Sequence, residues 1–379
     1  MAINLFAPKF RTDEILAEIR ICLEKGWTGL GFKTDEFEAK WAEYTRLPFA
    51  HFLSSNTVGL HLALHILKKE EKWADYAEVI TTPLTFVSTN HAILYENLKP
   101  VFADVDEYLC LDPKSVLARI TPKTKAVMFV GMGGNAGRLQ EIAVLCREKK
   151  LKLILDAAHM AGTRLDGVHV GSQADVSVFS YHAVKNLPTS DAGMVCFSTA
   201  EQDRLSRELS WLGINKTTFQ RFQVKDNSYR WKYDVPNVGF KYHGNSIQAS
   251  MALFQLRYLD ADNKRRNEIA DLYDRALQNV PKLKRVQVAP GCQSSRHLYQ
   301  VLVSHREAVL DEFYKNDIFP GVHYRDNIEY PMYSYAKGTC PNAAALSNEL
   351  LSLPLHLRLT NEDCMKVVEV LRNAVHRVG

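Results

Sequence analysis

The sequence lacks several features, and each absence excludes a class of protein. No run of about 18 apolar residues occurs in the 379-residue chain, so no transmembrane helix is predicted. The seven cysteines are scattered without a CxxC pair, which argues against a disulfide framework and a zinc site, and we expect no bound metal. The start, MAINLFAPKFRTDE, has no long apolar core and predicts no signal peptide. We therefore expect a reduced, cytoplasmic protein.

The sequence also lacks a block of like charges. The 47 basic and 43 acidic residues give a formal net charge of +4, and the basic residues are spread along the chain. We therefore expect no nucleic-acid partner and no membrane partner. The charge balance is compatible with an anionic small substrate, although ordinary surface charge is the preferred explanation.

The first two hundred residues instead show a regular alternation of patterns. Apolar runs predict seven buried strands, at 48–55, 78–83, 100–105, 126–132, 151–159, 175–181 and 192–198. Amphipathic runs predict helices around them, at 12–26, 33–46, 57–69, 89–97 and 138–150. Strands that are apolar on both faces and alternate with helices favour an α/β fold, with a mainly parallel seven-stranded sheet flanked by helices.

The pattern changes after residue 215. An irregular segment rich in basic and aromatic residues spans 215–237. Beyond it, the periodicity predicts helices at 246–259, 263–279, 346–353 and 361–376, and a strand at 297–304. Length and this change together predict two domains: a large α/β domain over 1–245 that holds the site, and a smaller α+β domain over 246–379.

Polar stretches follow four of the predicted strands. They read SSNT, TTPLTF, LDAAH and SYHAVKN. Parallel strands place ligand sites at their carboxyl ends, so we expect these stretches to meet in one site. In the last of them, Lys185 has the residue type that imine chemistry needs, because a lysine amine attacks an aldehyde once its pKa is lowered by burial or a nearby charge. Alternatively, Lys185 is an ordinary solvent-exposed lysine in a turn.

Two further stretches suggest which cofactor such a lysine would bind. Asp156 ends an apolar strand, where it is either a helix cap or the partner of a cation. The pyridine nitrogen of pyridoxal phosphate needs such a partner. The turn that begins at Ser54 leads into a helix, whose first amides, at Asn56, Thr57 and Val58, would seat a phosphate. An ordinary N-cap explains that turn too.

A rival motif points to different chemistry. The stretch VMFVGMGGNAGRL places Gly131, Gly133 and Ala136 in a G-x-G-x-x-A pattern between a predicted strand and a helix, and Asp156 follows about 20 residues later. This pattern would indicate an NAD-dependent oxidoreductase. The motif lies behind four earlier strands, however, and leaves the turn around Lys185 unexplained.

The order of blocks resembles the DegT/StrS family of pyridoxal-phosphate-dependent nucleotide-sugar aminotransferases, which have the fold type I architecture. The resemblance covers nearly the whole chain and is carried by GWTGLGFKTDEFEAKWAEY, SSNTVGLHLAL, TTPLTFVST, LDAAHMAG, SYHAVKNLPTSDAGMV, YDVPNVGFKYHGNSIQASMALFQL, GVHY and SLPLHLRLT.

This resemblance implies a role for each matching residue. Lys185 would hold pyridoxal 5′-phosphate as an internal aldimine (a Schiff base) and shuttle protons, and Asp156 would pair with the pyridine nitrogen. His159 would lie against the ring and Phe86 would stack on it. The phosphate would be bound by the amides named above and by the hydroxyl of Ser180.

The resemblance also implies partners. Lys241, in GFKY, would reach into the neighbouring subunit's site, so the active unit would be a homodimer. The amino donor would be an amino acid, usually glutamate, and the acceptor a keto group on a nucleotide-linked deoxysugar. Arg230 and Trp231 are candidates for binding the nucleotide, although they would fit a solvated loop equally well. His323 and Tyr324 lie where sugar contacts are expected.

Three departures from the family pattern concern the substrate and the phosphate turn. Asn56 stands where the family usually has glycine, and asparagine tolerates a positive φ better than most residues. Leu212 precedes Gly213 and Ile214 where the family often has histidine, and GVHYRDN lacks the usual proline and histidine. A related class, the sugar dehydratases, has histidine in place of the lysine, so Lys185 favours transamination.

Overall fold

The computed structural model describes residues 2–217, 219, 221 and 232–378. A seven-stranded sheet forms the centre of the first part of the chain. Its strands lie in the spatial order Phe49–Leu53, Gly193–Phe197, Val176–Ser180, Lys152–Asp156, Thr124–Val130, Glu78–Thr81 and Lys99–Phe102. The strand Gly193–Phe197 runs antiparallel to both its neighbours, and the other pairs are parallel. The predicted α/β fold with a mainly parallel seven-stranded sheet is confirmed.

Helices flank this sheet close to the predicted positions. They span Thr12–Glu24, Phe32–Thr45, Asn56–Glu70, Val87–Tyr95, Pro113–Arg119, Leu139–Lys149 and Ala200–Ser210. The helices Pro113–Arg119 and Ala200–Ser210 were not predicted from periodicity. The start of Pro113–Arg119 nevertheless has clear signals: the Asp112 side chain accepts from two backbone N–H groups and Pro113 opens the first turn. None of the helices in the described ranges is long and apolar enough to cross a membrane.

The carboxyl-terminal part contains the helices Ser246–Leu256, Leu259–Ala276, Arg306–Lys315, Pro341–Glu349 and Asn361–Val378. An antiparallel sheet joins Leu283–Arg285, Tyr299–Val303 and Leu350–Leu353. The predicted helix at 346–353 is wrong in its second half, because Leu350–Leu353 is a strand. Its four residues are all buried, and a short apolar run has the same appearance in a buried helix and in a buried strand.

Short elements complete the fold. The strands Ile3–Asn4 and Ile318–Phe319 pair in parallel, and Cys292–Gln293, Arg164–Leu165 and Val168–His169 form a small sheet. Short 3₁₀ helices span Met132–Gly134, Asn327–Glu329 and Pro331–Ala336.

The buried side chains form large hydrophobic clusters. One lies between the central sheet and its helices and includes Trp41, Phe52 and Phe129. A separate cluster lies in the carboxyl-terminal part, around Tyr273 and Tyr299. The helix Ser246–Leu256 contributes Ala249 and Ala252 to the first of these. The predicted domain boundary between residues 245 and 246 stays a prediction.

Candidate active site

A pocket of about 360 Å³ lies at the carboxyl edge of the central sheet, where the strands ending at Asp156 and Ser180 stop. The fold brings most of the predicted site residues to its wall: Asn56, Thr57, Phe86, Asp156, His159, Ser180, Lys185, His323 and Tyr324. These residues come from stretches up to 268 positions apart, between Asn56 and Tyr324, that the parallel sheet and its loops bring to one edge.

Two other predicted residues, Val58 and Lys241, are placed away from the pocket wall. Val58 does not line this pocket, and its N–H donates to the Ser55 hydroxyl over 3.3 Å. Lys241 is also absent from the wall, and its ammonium lies 3.4 Å from the centre of the Trp211 ring. Arg230 and Trp231 lie outside the described residues.

Lys185 follows the strand Val176–Ser180 in a tight turn, in which its backbone N–H donates to the His182 carbonyl over 2.8 Å. Burial lowers the pKa of its amine to about 8, and the nearby carboxylate of Asp156 acts in the opposite direction. Among the described residues, none forms a hydrogen bond or an ion pair with its Nζ. The chain thus presents an amine in the pocket that is easily deprotonated near neutral pH.

Asp156 is 3% exposed and is surrounded by hydrogen-bond donors. Its Oδ2 accepts from the Thr89 hydroxyl at 2.8 Å. Its Oδ1 accepts from the Ala158 N–H at 3.1 Å and from the Asn56 side-chain amide at 3.3 Å. Burial raises the pKa of this carboxyl, and the three donors oppose that rise. Such an environment orients a carboxylate toward a cationic partner in the pocket.

The structure explains why asparagine stands at position 56. Asn56 is the first residue of the helix Asn56–Glu70 and does not have a positive φ, so tolerance of that conformation is not the reason. Its side-chain amide instead donates both to Asp156 and, over 3.1 Å, to the Val178 carbonyl. Asn56 therefore holds the carboxylate in place from the helix start.

The start of this helix offers an anion seat. The backbone N–H groups of Asn56 and Thr57 have no partner among the described residues, since the first amides of a helix lack intrahelical acceptors. Ser180 lines the same pocket and pairs with Gly193 in the sheet. Gly193 lets this turn approach the sheet, because a Cβ there would lie 2.5 Å from the Ser55 carbonyl carbon. Glycine is therefore needed at position 193 because the backbone of Ser55 lies too close for a side chain.

His159 is held in one neutral form. The backbone N–H of Gly133 donates to its Nδ1 over 3.1 Å, so the ring proton is on Nε2, which lies 3.1 Å from the Tyr324 hydroxyl. Burial lowers the pKa of His159 well below its usual value. The Tyr324 oxygen therefore accepts from His159, and its own proton is available to the pocket.

The glycine-rich rival motif has a packing role here. Its centre forms the buried 3₁₀ turn Met132–Gly134, and a Cβ on Gly134 would lie 2.5 Å from the Ser295 hydroxyl. Gly133 has a φ of +64° and supports His159 through its N–H. The glycines thus serve close packing beneath the pocket.

Sequence reasoning missed several residues of this wall. Thr89 lies in the TTPLTFVST block, and its polar side chain, placed one helical turn after Phe86, was the available signal. His297 and Phe6 gave no local signal, because they come from distant parts of the chain and reach the pocket only through tertiary packing.

Replacing Asn56 with alanine is expected to weaken cofactor binding by at least about tenfold. The Asp156 carboxylate loses one of its three donors, and a hydrogen bond to a charged group contributes about 1.5–3 kcal/mol. Spectrophotometric titration of the cofactor-free protein with pyridoxal 5′-phosphate measures the change. Asn135→Ala is the matched control, since Asn135 is equally buried but bonds the Gln287 carbonyl. Unchanged affinity in Asn56→Ala would contradict the assignment.

Comparison with known proteins identifies the protein family. Residues 10–372 match the model of the DegT/DnrJ/EryC1/StrS aminotransferase family, and the chain belongs to this family. A dTDP-4-dehydro-2,3,6-trideoxy-D-glucose 4-aminotransferase from Saccharopolyspora spinosa is 32% identical, over 98% of this chain and 97% of the relative.

Two solved structures are similar over their full length. The aminotransferase TlmJ from Streptoalloteichus hindustanus has a TM-score of 0.91 and 31% identity, with complete coverage of both chains. The sugar aminotransferase Spr1654 from Streptococcus pneumoniae, in its PMP form, has a TM-score of 0.91 and 26% identity, with 99% of each chain covered. The predicted family and fold type I architecture are confirmed. Aminotransferases of this family depend on pyridoxal 5′-phosphate, so the predicted cofactor is confirmed as well.

Proposed function

We propose that this protein is a pyridoxal-phosphate-dependent aminotransferase that transfers an amino group from glutamate to a keto group of a nucleotide-linked deoxysugar. One observation carries the proposal: the buried amine of Lys185 and the buried carboxylate of Asp156 meet in one pocket at the start of the helix Asn56–Glu70. The name of the Saccharopolyspora spinosa relative supports the substrate class.

The pocket residues would contact the phosphate, the pyridine nitrogen and the ring face of the cofactor. The amides of Asn56 and Thr57 and the Ser180 hydroxyl would hold the phosphate at the helix start. Asp156 would accept a hydrogen bond from the protonated pyridine nitrogen and stabilise its positive charge. Phe86, which is 58% exposed at the pocket edge, would cover one face of the ring. When bound, the cofactor supplies the electron sink that withdraws charge from the carbon bearing the nitrogen.

In this proposal the residues of the pocket would hold the cofactor and move protons. Lys185 would hold the cofactor through Nζ and, when free, would carry a proton between substrate atoms, since a pKa of about 8 leaves it able to accept and donate near neutral pH. Burial keeps the nearby imidazoles uncharged, and it lowers the pKa of His323 to about 4. Because these rings stay neutral, they do not add to the charge next to the amine.

The diphosphate of a nucleotide sugar carries two negative charges, and few positively charged side chains line the pocket to balance them. Lys185 is the sole lysine or arginine among the described residues that line it. We therefore propose that the diphosphate is bound outside this wall. Arg230 and Trp231 are the candidates, and His323 and Tyr324 would contact the sugar.

Positive charge is also scarce for the cofactor phosphate, because the pocket wall includes the acidic residue Asp191 and no lysine or arginine besides Lys185 among the described residues. Lys241 is held on the Trp211 ring and away from the pocket of its own chain. We propose that the active unit is a homodimer in which the partner subunit's Lys241 supplies the missing cation to each site.

Mixing two inactive variants tests this arrangement. Lys185→Ala and Lys241→Ala are each expected to lose most activity, whereas heterodimers formed after co-expression contain one intact site. A random equal mixture should recover about a quarter of the wild-type activity, because half of the dimers are mixed and each has one working site. Absence of recovery, with mixed dimers shown by mass spectrometry, would place Lys241 in the site of its own chain or outside any site.

The absorption spectrum tests the proposed function. Protein loaded with pyridoxal 5′-phosphate should show a visible band that bleaches when excess glutamate is added. Addition of dTDP- or UDP-linked 4-keto-6-deoxysugar should restore the band and yield an amino sugar detectable by mass spectrometry. Bleaching without any amino sugar would support an aminotransferase with another acceptor. A dehydratase would release a deoxygenated sugar instead, and the presence of Lys185 argues against it.

A further inference from the structure

Lys241 lies in an extended segment in which its two neighbours face the other way. An isolated antiparallel bridge pairs Lys241 with Trp211, and the Tyr242 N–H donates to the Ser210 carbonyl over 2.9 Å. Successive side chains of an extended segment point to opposite faces. The rings of Phe240 and Tyr242 stack on one face, with centroids 4.7 Å apart and planes 5° apart. The Lys241 ammonium lies over the Trp211 ring on the opposite face. Contacts that fix the two stacked rings therefore fix the direction in which Lys241 points.

The face with the two rings packs against two histidines of the helix Asn56–Glu70. The centre of the His61 ring lies 5.0 Å from that of Phe240 and 5.7 Å from that of Tyr242. The His65 ring lies 5.2 Å from Phe240. His61 is 7% exposed, and its Nδ1 lies 3.0 Å from the Tyr242 hydroxyl. The helix that begins at the proposed phosphate seat therefore also holds this segment.

Glu96 determines which way the hydrogen bond to Tyr242 runs. Its Oε1 lies 2.7 Å from the His61 Nε2 and 3.0 Å from the His65 Nδ1. Burial opposes ionisation of Glu96, but the hydrogen bonds from the two histidines outweigh it and lower the pKa of Glu96 to about 2. An ionised carboxylate can only accept, so a neutral His61 carries its proton on Nε2 and accepts from the Tyr242 hydroxyl on Nδ1.

We infer that His61 is a positioning residue for Lys241: held by Glu96, it fixes the Tyr242 ring and thereby directs the adjacent lysine away from its own chain's pocket, toward the site of the partner subunit. The inference rests on the proposed function for the use of Lys241 in that site. The contacts from Glu96 to Tyr242 do not depend on the proposed function.

The alternative is that His61 supports the site of its own chain. The Ser54 N–H donates to the Tyr242 carbonyl over 2.8 Å, so the segment also touches the turn that leads to its own phosphate seat. The two roles differ in which subunit's site is damaged when His61 is replaced. Mixed dimers separate them, because each mixed dimer pairs one intact His61 with one replaced His61.

Co-expression of His61→Phe with a second variant provides the test. Phenylalanine keeps the ring packing and removes both ring nitrogens, and Glu96 retains His65 as a donor. We expect the His61→Phe homodimer to lose about tenfold in turnover, because a displaced charged group stabilises its target poorly. In a random equal mixture with Lys185→Ala, activity should reach about a quarter of wild type, since one site of each mixed dimer combines an intact Lys185 with a correctly directed Lys241.

The mixture of His61→Phe with Lys241→Ala should instead stay near about a twentieth of wild type, because no site receives a correctly directed Lys241. The reverse pattern would place the effect of His61 in its own chain's site and overturn the inference. Near-normal turnover of the His61→Phe homodimer, or equal recovery with both second variants, would overturn it too. The pair Lys185→Ala and Lys241→Ala tests the proposed dimer separately, and without recovery in that pair the measurement on Lys241 below decides alone.

Acylation of Lys241 in full-length, cofactor-free protein tests the positioning without reference to turnover. Burial lowers the pKa of this amine, which lies on the Trp211 ring. Loss of the tie in His61→Phe or Tyr242→Phe should expose the amine to water and move the midpoint of its modification by acetic anhydride to higher pH, as read from its peptide by mass spectrometry. His65→Phe is the matched control and should keep the midpoint, since the bond between His61 and Tyr242 remains. An unchanged midpoint in His61→Phe would overturn the inference even if transamination is confirmed.

Discussion

Replacing Lys185 with alanine is expected to lower the turnover of amino transfer by roughly 10³-fold or more, because the chain loses both the atom that bonds the cofactor and the group that moves the proton. The loaded variant should also lack the visible band of the lysine-bound cofactor. Steady-state kinetics and an absorption spectrum measure the two effects on one sample.

The matched control is Lys152→Ala. Lys152 begins the strand that ends at Asp156, on the opposite edge of the sheet, and is paired with Glu71 over 2.8 Å. It should keep its turnover and its visible band. Near-normal turnover in Lys185→Ala, with folding verified by circular dichroism, would overturn the assignment of the catalytic amine.

The same lysine has a predictable pH dependence. An amine is nucleophilic only when unprotonated, and burial lowers the pKa of Lys185 to about 8. Its reactivity in the cofactor-free protein should therefore rise as the pH rises through about 8, whereas ordinary surface lysines become reactive near pH 10.4.

Replacing Asp156 with asparagine is expected to reduce turnover by roughly 10²–10³-fold, the typical effect of losing one preorganised electrostatic group in an active site. The change removes the negative charge that would keep the pyridine nitrogen protonated. It also replaces one carboxylate oxygen with an NH₂ group, which cannot accept a hydrogen bond. At least one of the donors from Asn56, Thr89 and Ala158 then loses its acceptor. Cofactor affinity should fall as well.

Kinetics and cofactor titration of Asp156→Asn are compared with Asp166→Asn. Asp166 is an exposed turn residue with a φ of +49°, a conformation that asparagine also adopts. The control should behave as wild type. Turnover in Asp156→Asn within a few-fold of wild type would show that the carboxylate does not control the cofactor nitrogen.

Much of the site was predictable because it depends on local patterns. The apolar runs before Asp156 and Ser180 identify buried parallel strands, and such strands place their following residues at one edge of the sheet. The helix start at Asn56 was predictable for the same reason, since a strand, a polar turn and a helix start are all local features, and its binding of a phosphate stays a prediction. The role of Val58 stays a prediction, and in this structure its amide donates to the Ser55 hydroxyl.

The sequence by itself therefore determined the class of fold, the position of Lys185 and Asp156 at the sheet edge, and the resemblance that names the family. Only the tertiary structure decided which residues surround them. The Asn56 amide meets Asp156 from 100 positions away, and Asn186 forms a hydrogen bond with His297, 111 positions away. The tertiary structure also decided that Leu350–Leu353 is a strand, because these residues pair with the strand Tyr299–Val303. Periodicity reports which face of an element is buried, whereas these contacts depend on which distant element packs against that face.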